Sequence, residues 1–180
     1  MMQETSTSRS RCRLACRLTF ILLTGLLFNA CSSTPPYVYR FVPGQSAILR
    51  DGYAVAPPNA PRPVHDAIAA GNRITGAPYK YGGGHRLVID NGYDCSGAVS
   101  SVLHQAGLMR GSLTSSGFRR YGEAGMGRWI SIYAKRDHVF LVVAGLRFDT
   151  GWNGERGSGP RWTIKSRPAS NFVLRHPRSL

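Results

Sequence analysis

NGYDCSGAVSSVLHQAGL, residues 91–108, is the stretch from which the chain is best read. Ala98, Val99, Val102, Leu103 and Ala106 recur at helical spacing, and Gly107 suits a C-terminal cap, so a helix is predicted here. Cys95 falls in its first turn, where unpaired backbone N–H groups and the helix dipole favour an anion. A thiol so placed can have its pKa lowered from about 8.5 into roughly the 3.5 to 7.5 range. Gly97 permits close approach by a backbone or a substrate, and the N–H groups of the turn suit a developing oxyanion.

The other cysteines narrow the role of Cys95. Residues 1–18 carry Arg9, Arg11, Arg13 and Arg17 against Glu4, and TFILLTGLLFNA and Cys31 follow. A basic stretch, a short apolar run and small residues predict a signal peptide over 1–30. The 12-residue apolar run falls short of the about 20 residues that span a bilayer. Cys31, directly after Ala30, resembles the lipid attachment site of bacterial lipoproteins, with Phe28 where leucine is usual. Cleavage before Cys31 removes Cys12 and Cys16, and acylation of Cys31 leaves Cys95 without a disulfide partner. No CxxC or Cys/His spacing suggests zinc, so no metal and no cofactor are expected. The bland reading of Cys95 is a small buried hydrophobe.

Composition bounds the partners. Residues 31–180 hold 19 basic and 8 acidic residues, a surface suited to anionic lipid or an acidic polymer. The arginines are scattered rather than gathered into a basic arm, so nucleic acid is not expected. Residues 31–62, rich in Pro, Ser, Gly and Tyr, read as a lipidated cysteine and a linker that stands the domain off a membrane and can wrap its surface. Residues 63–180 suffice for one domain.

Within that domain, PVHDAIAAGNRIT predicts a first helix with Val64, Ala67, Ile68 and Ala70 on one face. GAPYKYGGGHRLVIDNGYD reads as a glycine-rich loop. The second half is strand-like: RWISIYAKR alternates, HVFLVVAG is a continuous apolar run, LRFDT follows, and RWTIKSRPASNFVLRH offers two more short strands. Helices followed by a run of strands predict an α+β domain with an antiparallel sheet.

A thiolate nucleophile needs a base. His138 opens the apolar strand after a polar turn, and a hairpin would return Asp149, eleven residues later, to the same edge, where its carboxylate could fix the imidazole tautomer. His85 in the glycine loop is the rival base. His104, nine residues into the helix and about 13 Å along it, is too far away.

GAPYKYGGG, YDCSGAVSSVLHQAGL and DHVFLVVAGLRFDT, in that order and spacing, resemble the NlpC-type (NlpC/p60) cell-wall cysteine peptidases. That family carries a P-Y-x-W/Y-G-G segment, a D-C-S-G helix, an H-V strand and a third polar residue after the next turn. The resemblance spans residues 64 to about 152. It implies a papain-like core and hydrolysis of peptidoglycan stem peptides. Cys95 would be nucleophile, His138 base and Asp149 the orienting residue; Tyr79 would help hold the oxyanion, with Asp94 and Ser96 on the substrate side. The chain departs from the family in GEAGMGRWISIYAKRD, which replaces a proline-glycine-aspartate turn, in aspartate where the third residue is often histidine, and in a longer loop over residues 84–93. Two other readings use the same core: a wall-binding lipoprotein without activity, and a cysteine acyltransferase or amidase. The expected location is the cell envelope, lipid-anchored, facing the periplasm if the host has an outer membrane.

Overall fold

In the computed structural model, residues 33–155 and 157–180 are described, and Thr34–Leu180 form one unit. The signal peptide expected over residues 1–30 and the lipidation expected at Cys31 lie outside the described residues. No described helix is long and apolar enough to cross a membrane.

Helix α1, Arg62–Ile74, starts at a proline in its first turn, where a missing N–H costs nothing, and buries Val64, Ala67, Ile68, Ala70 and Ile74. Helix α2, Cys95–Gln105, buries Ala98, Val99, Val102 and Leu103, and Gly107, with φ of 71°, accepts the left-handed turn after it. A one-turn helix α3, Ser115–Phe118, is capped by Thr114, whose side chain accepts from the N–H of Gly117.

The strands are β1 (Ile48–Arg50), β2 (Tyr53–Val55), β3 (Glu123–Ala124), β4 (Ile130–Ala134), β5 (Val139–Val143), β6 (Leu146–Asp149), β7 (Arg161–Thr163) and β8 (Val173–His176). Strands β3 to β8 form a six-stranded antiparallel sheet in the order β3-β8-β4-β5-β6-β7. The architecture is therefore α+β with an antiparallel sheet. Ala144 and Gly145, both at positive φ, make the two-residue turn between β5 and β6, the turn hand that matches strand twist.

Strand β4 departs from the alternating pattern, since all five of its residues are buried. The cause is cover on both faces. Ile130, Ile132, Leu141 and Val143 pack in the core that contains α1 and α2, whereas Tyr133 and Phe140 face a second cluster with Tyr37, Ala169 and Phe172. Residues from both ends of the domain thus shield the sheet's far side. The segment read as a linker supplies the β1–β2 hairpin and buries Tyr37, Ala47 and Ala54.

Candidate active site

The cysteine is positioned by backbone packing of the kind that only glycine allows. A Cβ on Gly97 would lie 1.9 Å from the carbonyl oxygen of Gly83, so the first turn of α2 presses directly on the glycine-rich loop. Asp94 caps the helix, its Oδ1 accepting from the N–H of Gly97 at 2.7 Å, while Oδ2 accepts from the N–H of Gly82 at 2.9 Å. The same carboxylate meets His85 Nε2 at 3.2 Å and receives a hydrogen bond from Ser96 Oγ at 3.0 Å.

Asp94 and Ser96, expected on the substrate side, are both buried and hydrogen-bonded at the glycine loop, and neither is among the described lining of the cleft above Cys95. As the helix cap, the Asp94 carboxylate is committed to the N–H groups of Gly97 and Gly82. His85 is held by the same cap and is also absent from the described lining of that cleft. In the long loop over residues 84–93, Arg86, Val88, Ile89 and Asp90 line a separate hollow with Lys80.

The hairpin turn brings His138 and Asp149 together, with His138 Nε2 2.8 Å from Asp149 Oδ1. Nδ1 is then the ring nitrogen left for the thiol. Asp149 is buried, and its carboxylate is fully engaged: Oδ1 also accepts from the N–H of Gly151 at 2.9 Å, and Oδ2 from Arg167 Nη1 at 2.6 Å. Arg147, itself buried, adds its Nε at 3.6 Å. Burial alone would raise the Asp149 pKa, but the hydrogen bond and charge of His138, with the two guanidiniums, hold it below the usual carboxylate range.

The same balance acts on the other two groups. Burial disfavours the Cys95 thiolate, yet His138 and the Ser115 hydroxyl, whose Oγ is 3.3 Å from Sγ, pull the thiol pKa below its ordinary value. Burial would lower the His138 pKa, but Asp149 and Cys95 push it up to about 9. Each charge supports the other, so a thiolate–imidazolium pair is favoured over the neutral pair.

Tyr79 completes the rim. Its residue is bridged to Tyr93, two positions before Cys95, and its side chain lines the same cleft of about 610 Å³ as Cys95 and His138. Burial first, and then the nearby Cys95, raise its phenol pKa, which keeps the hydroxyl a donor. Tyr81 is exposed and takes no part in the cleft.

Sequence reasoning passed over Ser115, Arg167 and Lys135. Ser115 follows a cap residue in a short polar stretch and carries no distinguishing pattern. Arg167 is one of many scattered arginines, and only its backbone pairing with Tyr37 sets it beneath Asp149. Among the described residues no group of three or more His, Cys, Asp or Glu side chains is arranged to hold a metal ion. Comparison with known protein families, characterised proteins and solved structures yields no match.

Proposed function

We propose that this chain is a cysteine peptidase with a papain-like core that hydrolyses peptide stems of bacterial peptidoglycan. The observation that carries the reading is the chain of contacts in one cleft: a thiol at a helix N-terminus with its pKa lowered, an imidazole raised to about 9, and a buried carboxylate 2.8 Å behind that ring. Structural histidines seldom need a buried, doubly arginine-paired aspartate, whereas a base that must change charge during turnover does. The motifs PYKYGG and YDCSG supply the substrate class by resemblance.

In this mechanism the Cys95 thiolate attacks a stem-peptide carbonyl. N–H groups of the first turn of α2 and the Tyr79 hydroxyl hold the tetrahedral oxyanion. His138 gives its proton to the leaving amine, then takes one from the water that cleaves the thioester. Asp149 keeps the ring oriented and stabilises its cationic form. The protein would reach its substrate from the cell envelope, anchored through Cys31.

The test is mass spectrometry of muropeptides after residues 32–180 are incubated with intact sacculi, beside the Cys95→Ala variant. New stem fragments from the wild type alone are expected. Equal fragments from both proteins would end the proposal, and sedimentation of both with sacculi without fragments would favour the inactive wall-binding reading. Transfer of an acyl group to an added amine would favour the acyltransferase.

A further inference from the structure

The segment that leads into the domain is packed on it from its first described residues. The Thr34 hydroxyl donates to the carbonyl of Phe172, and Tyr37 pairs with Arg167 through both backbone hydrogen bonds. Over the next residues burial alternates. Tyr37 is buried and Tyr39 packs on both apolar clusters, while Val38 and Arg40 are exposed. Phe41 and Val42 break the alternation, since both are exposed as well.

A single exposed apolar residue needs no explanation. Three within five residues need one. Val38 is 52% exposed, Phe41 57% and Val42 43%, and the exposed Arg40 stands among them. The turn that presents them is closed by its own hydrogen bonds: Ser46 Oγ accepts from the N–H of Val42 at 3.0 Å and donates to the Arg40 carbonyl at 3.1 Å, while the N–H groups of Gln45 and Ser46 donate to the Val42 carbonyl. Residues 33–50 include Arg40 and Arg50 and no Asp or Glu, so the strip is basic as well as apolar.

The tether says what covers this strip. Three residue steps separate Cys31 from Thr34, and an extended chain covers at most about 11 Å in that number. A domain of this length has a radius of gyration of about 15 Å. A tether shorter than the body it holds leaves no gap, so an acyl group on Cys31 draws the domain against the headgroups on the side where Thr34 enters.

We propose that Val38, Phe41 and Val42, with Arg40, form a membrane-docking face whose apolar side chains enter the headgroup layer of an anionic bilayer. Arg40 meets lipid phosphate there. Docking also sets the place of the cleft. The ring of Phe172, whose carbonyl holds Thr34, has its centroid 6.3 Å from that of His138, so the histidine side of the cleft lies beside the bilayer. The proposal rests on the lipid-anchor reading for the tether alone, and contact of the face with lipid does not need the acyl group.

The experiment floats residues 32–180, which contain the whole Thr34–Leu180 unit, with vesicles of phosphatidylglycerol and phosphatidylethanolamine. Binding is expected, and part of it should survive salt that screens simple charge attraction. Phe41→Ser and Val42→Ser together should lower that salt-resistant part about tenfold. Val88→Ser with Ile89→Ser, a still more exposed apolar pair on the glycine loop, should change nothing. Arg40→Gln should weaken binding about fivefold on these vesicles and leave any binding to phosphatidylcholine vesicles as it was. All of these side chains are exposed, so the thermal midpoint should hold in each variant. No binding, binding removed entirely by salt, or an equal loss from the glycine-loop pair would overturn the face. If binding follows Phe41 and Val42 but mass spectrometry of the exported full chain finds no acyl group on Cys31, the anchor reading falls and the face stands. An acylated chain whose domain ignores the vesicles has the opposite meaning.

Discussion

The cysteine side of the cleft is assembled from residues 79–97, whereas the histidine side draws on Tyr37, His138, Asp149 and Arg167. On the first side the constraint is steric and short-range: Gly83 and Gly97 touch backbone to backbone, Asp94 caps its own helix, and Tyr79 is bridged to Tyr93. On the second it is electrostatic and long-range. Asp149 keeps its charge in a buried setting because Arg147 and Arg167 compensate it, and Arg167 is held by backbone hydrogen bonds to Tyr37. Tyr37 is buried as well, its hydroxyl donating to the Gly145 carbonyl and accepting from the Arg147 N–H, with its pKa pushed up to about 12 by burial. One side positions an atom; the other maintains a charge.

That difference predicts different failures. The largest should follow Asp149→Asn, which keeps the shape and removes the charge. It leaves Arg147 and Arg167 uncompensated, at a cost of about 3 kcal/mol of stability. It should also lower kcat/KM on the order of 1,000-fold by releasing the tautomer and the imidazolium. Urea unfolding together with peptide hydrolysis checks both, and full activity in that variant would remove Asp149 from the mechanism.

Gly97→Ala should come next, with the opposite signature. A Cβ 1.9 Å from the Gly83 oxygen must push the loop off the helix, costing roughly 2 kcal/mol. The His138–Asp149 contact should persist while Cys95 is displaced, so activity should fall and the titration of His138, followed by NMR, should drop by the part that Cys95 contributes and no further than in Cys95→Ala. A larger drop would show that the Asp149 contact is lost as well.

A third expectation concerns pH. Asp149 has a lowered pKa in the folded state, so its contribution is present above the ordinary carboxylate value of 3.8 and is lost as pH falls through the lower folded value. His138 is raised, so its contribution is complete below 6.5 and is lost as pH rises toward about 9. Cys95, with its lowered pKa, gains stability as pH rises and so opposes His138 on the alkaline side. Cys95→Ala should therefore expose an alkaline loss of stability that the wild type partly masks. Denaturant midpoints at pH 6 and pH 9 test this, and an unchanged midpoint in Cys95→Ala would refute the coupling.

The smallest effect belongs to Ser115→Ala. One hydroxyl 3.3 Å from Sγ is removed, and with it one of several influences on the thiolate. The rate of alkylation by iodoacetamide at pH 7 should fall about threefold, with stability within about 0.5 kcal/mol of wild type. An unchanged alkylation rate would make the serine a packing neighbour.

The cysteine side was legible because its determinants are local. A helical stripe and glycines at fixed offsets are patterns of period and propensity, and they placed Cys95, α1 and α2 without tertiary information. The hairpin that joins His138 to Asp149 was legible for the same reason, since an apolar run, a glycine turn and a second strand form one short-range unit. The β1–β2 hairpin was signalled too, by Asp51-Gly52, both at positive φ, between strand-forming residues; its proline-rich setting obscured it. The inward turn of Asp94 followed from its capping role, which the family resemblance had set aside in favour of substrate contact.

The sequence by itself determined α1, α2, the run of strands from β4 onward and the helix turn that carries the thiol, because each depends on neighbours a few residues away. Tertiary structure alone decided which arginines guard Asp149, that Ser115 touches the sulfur, and that residues near Tyr37 close the sheet's far face. The neighbour Arg147 aside, those facts depend on contacts between residues 18 to 130 positions apart. Such contacts leave no periodic trace along the chain.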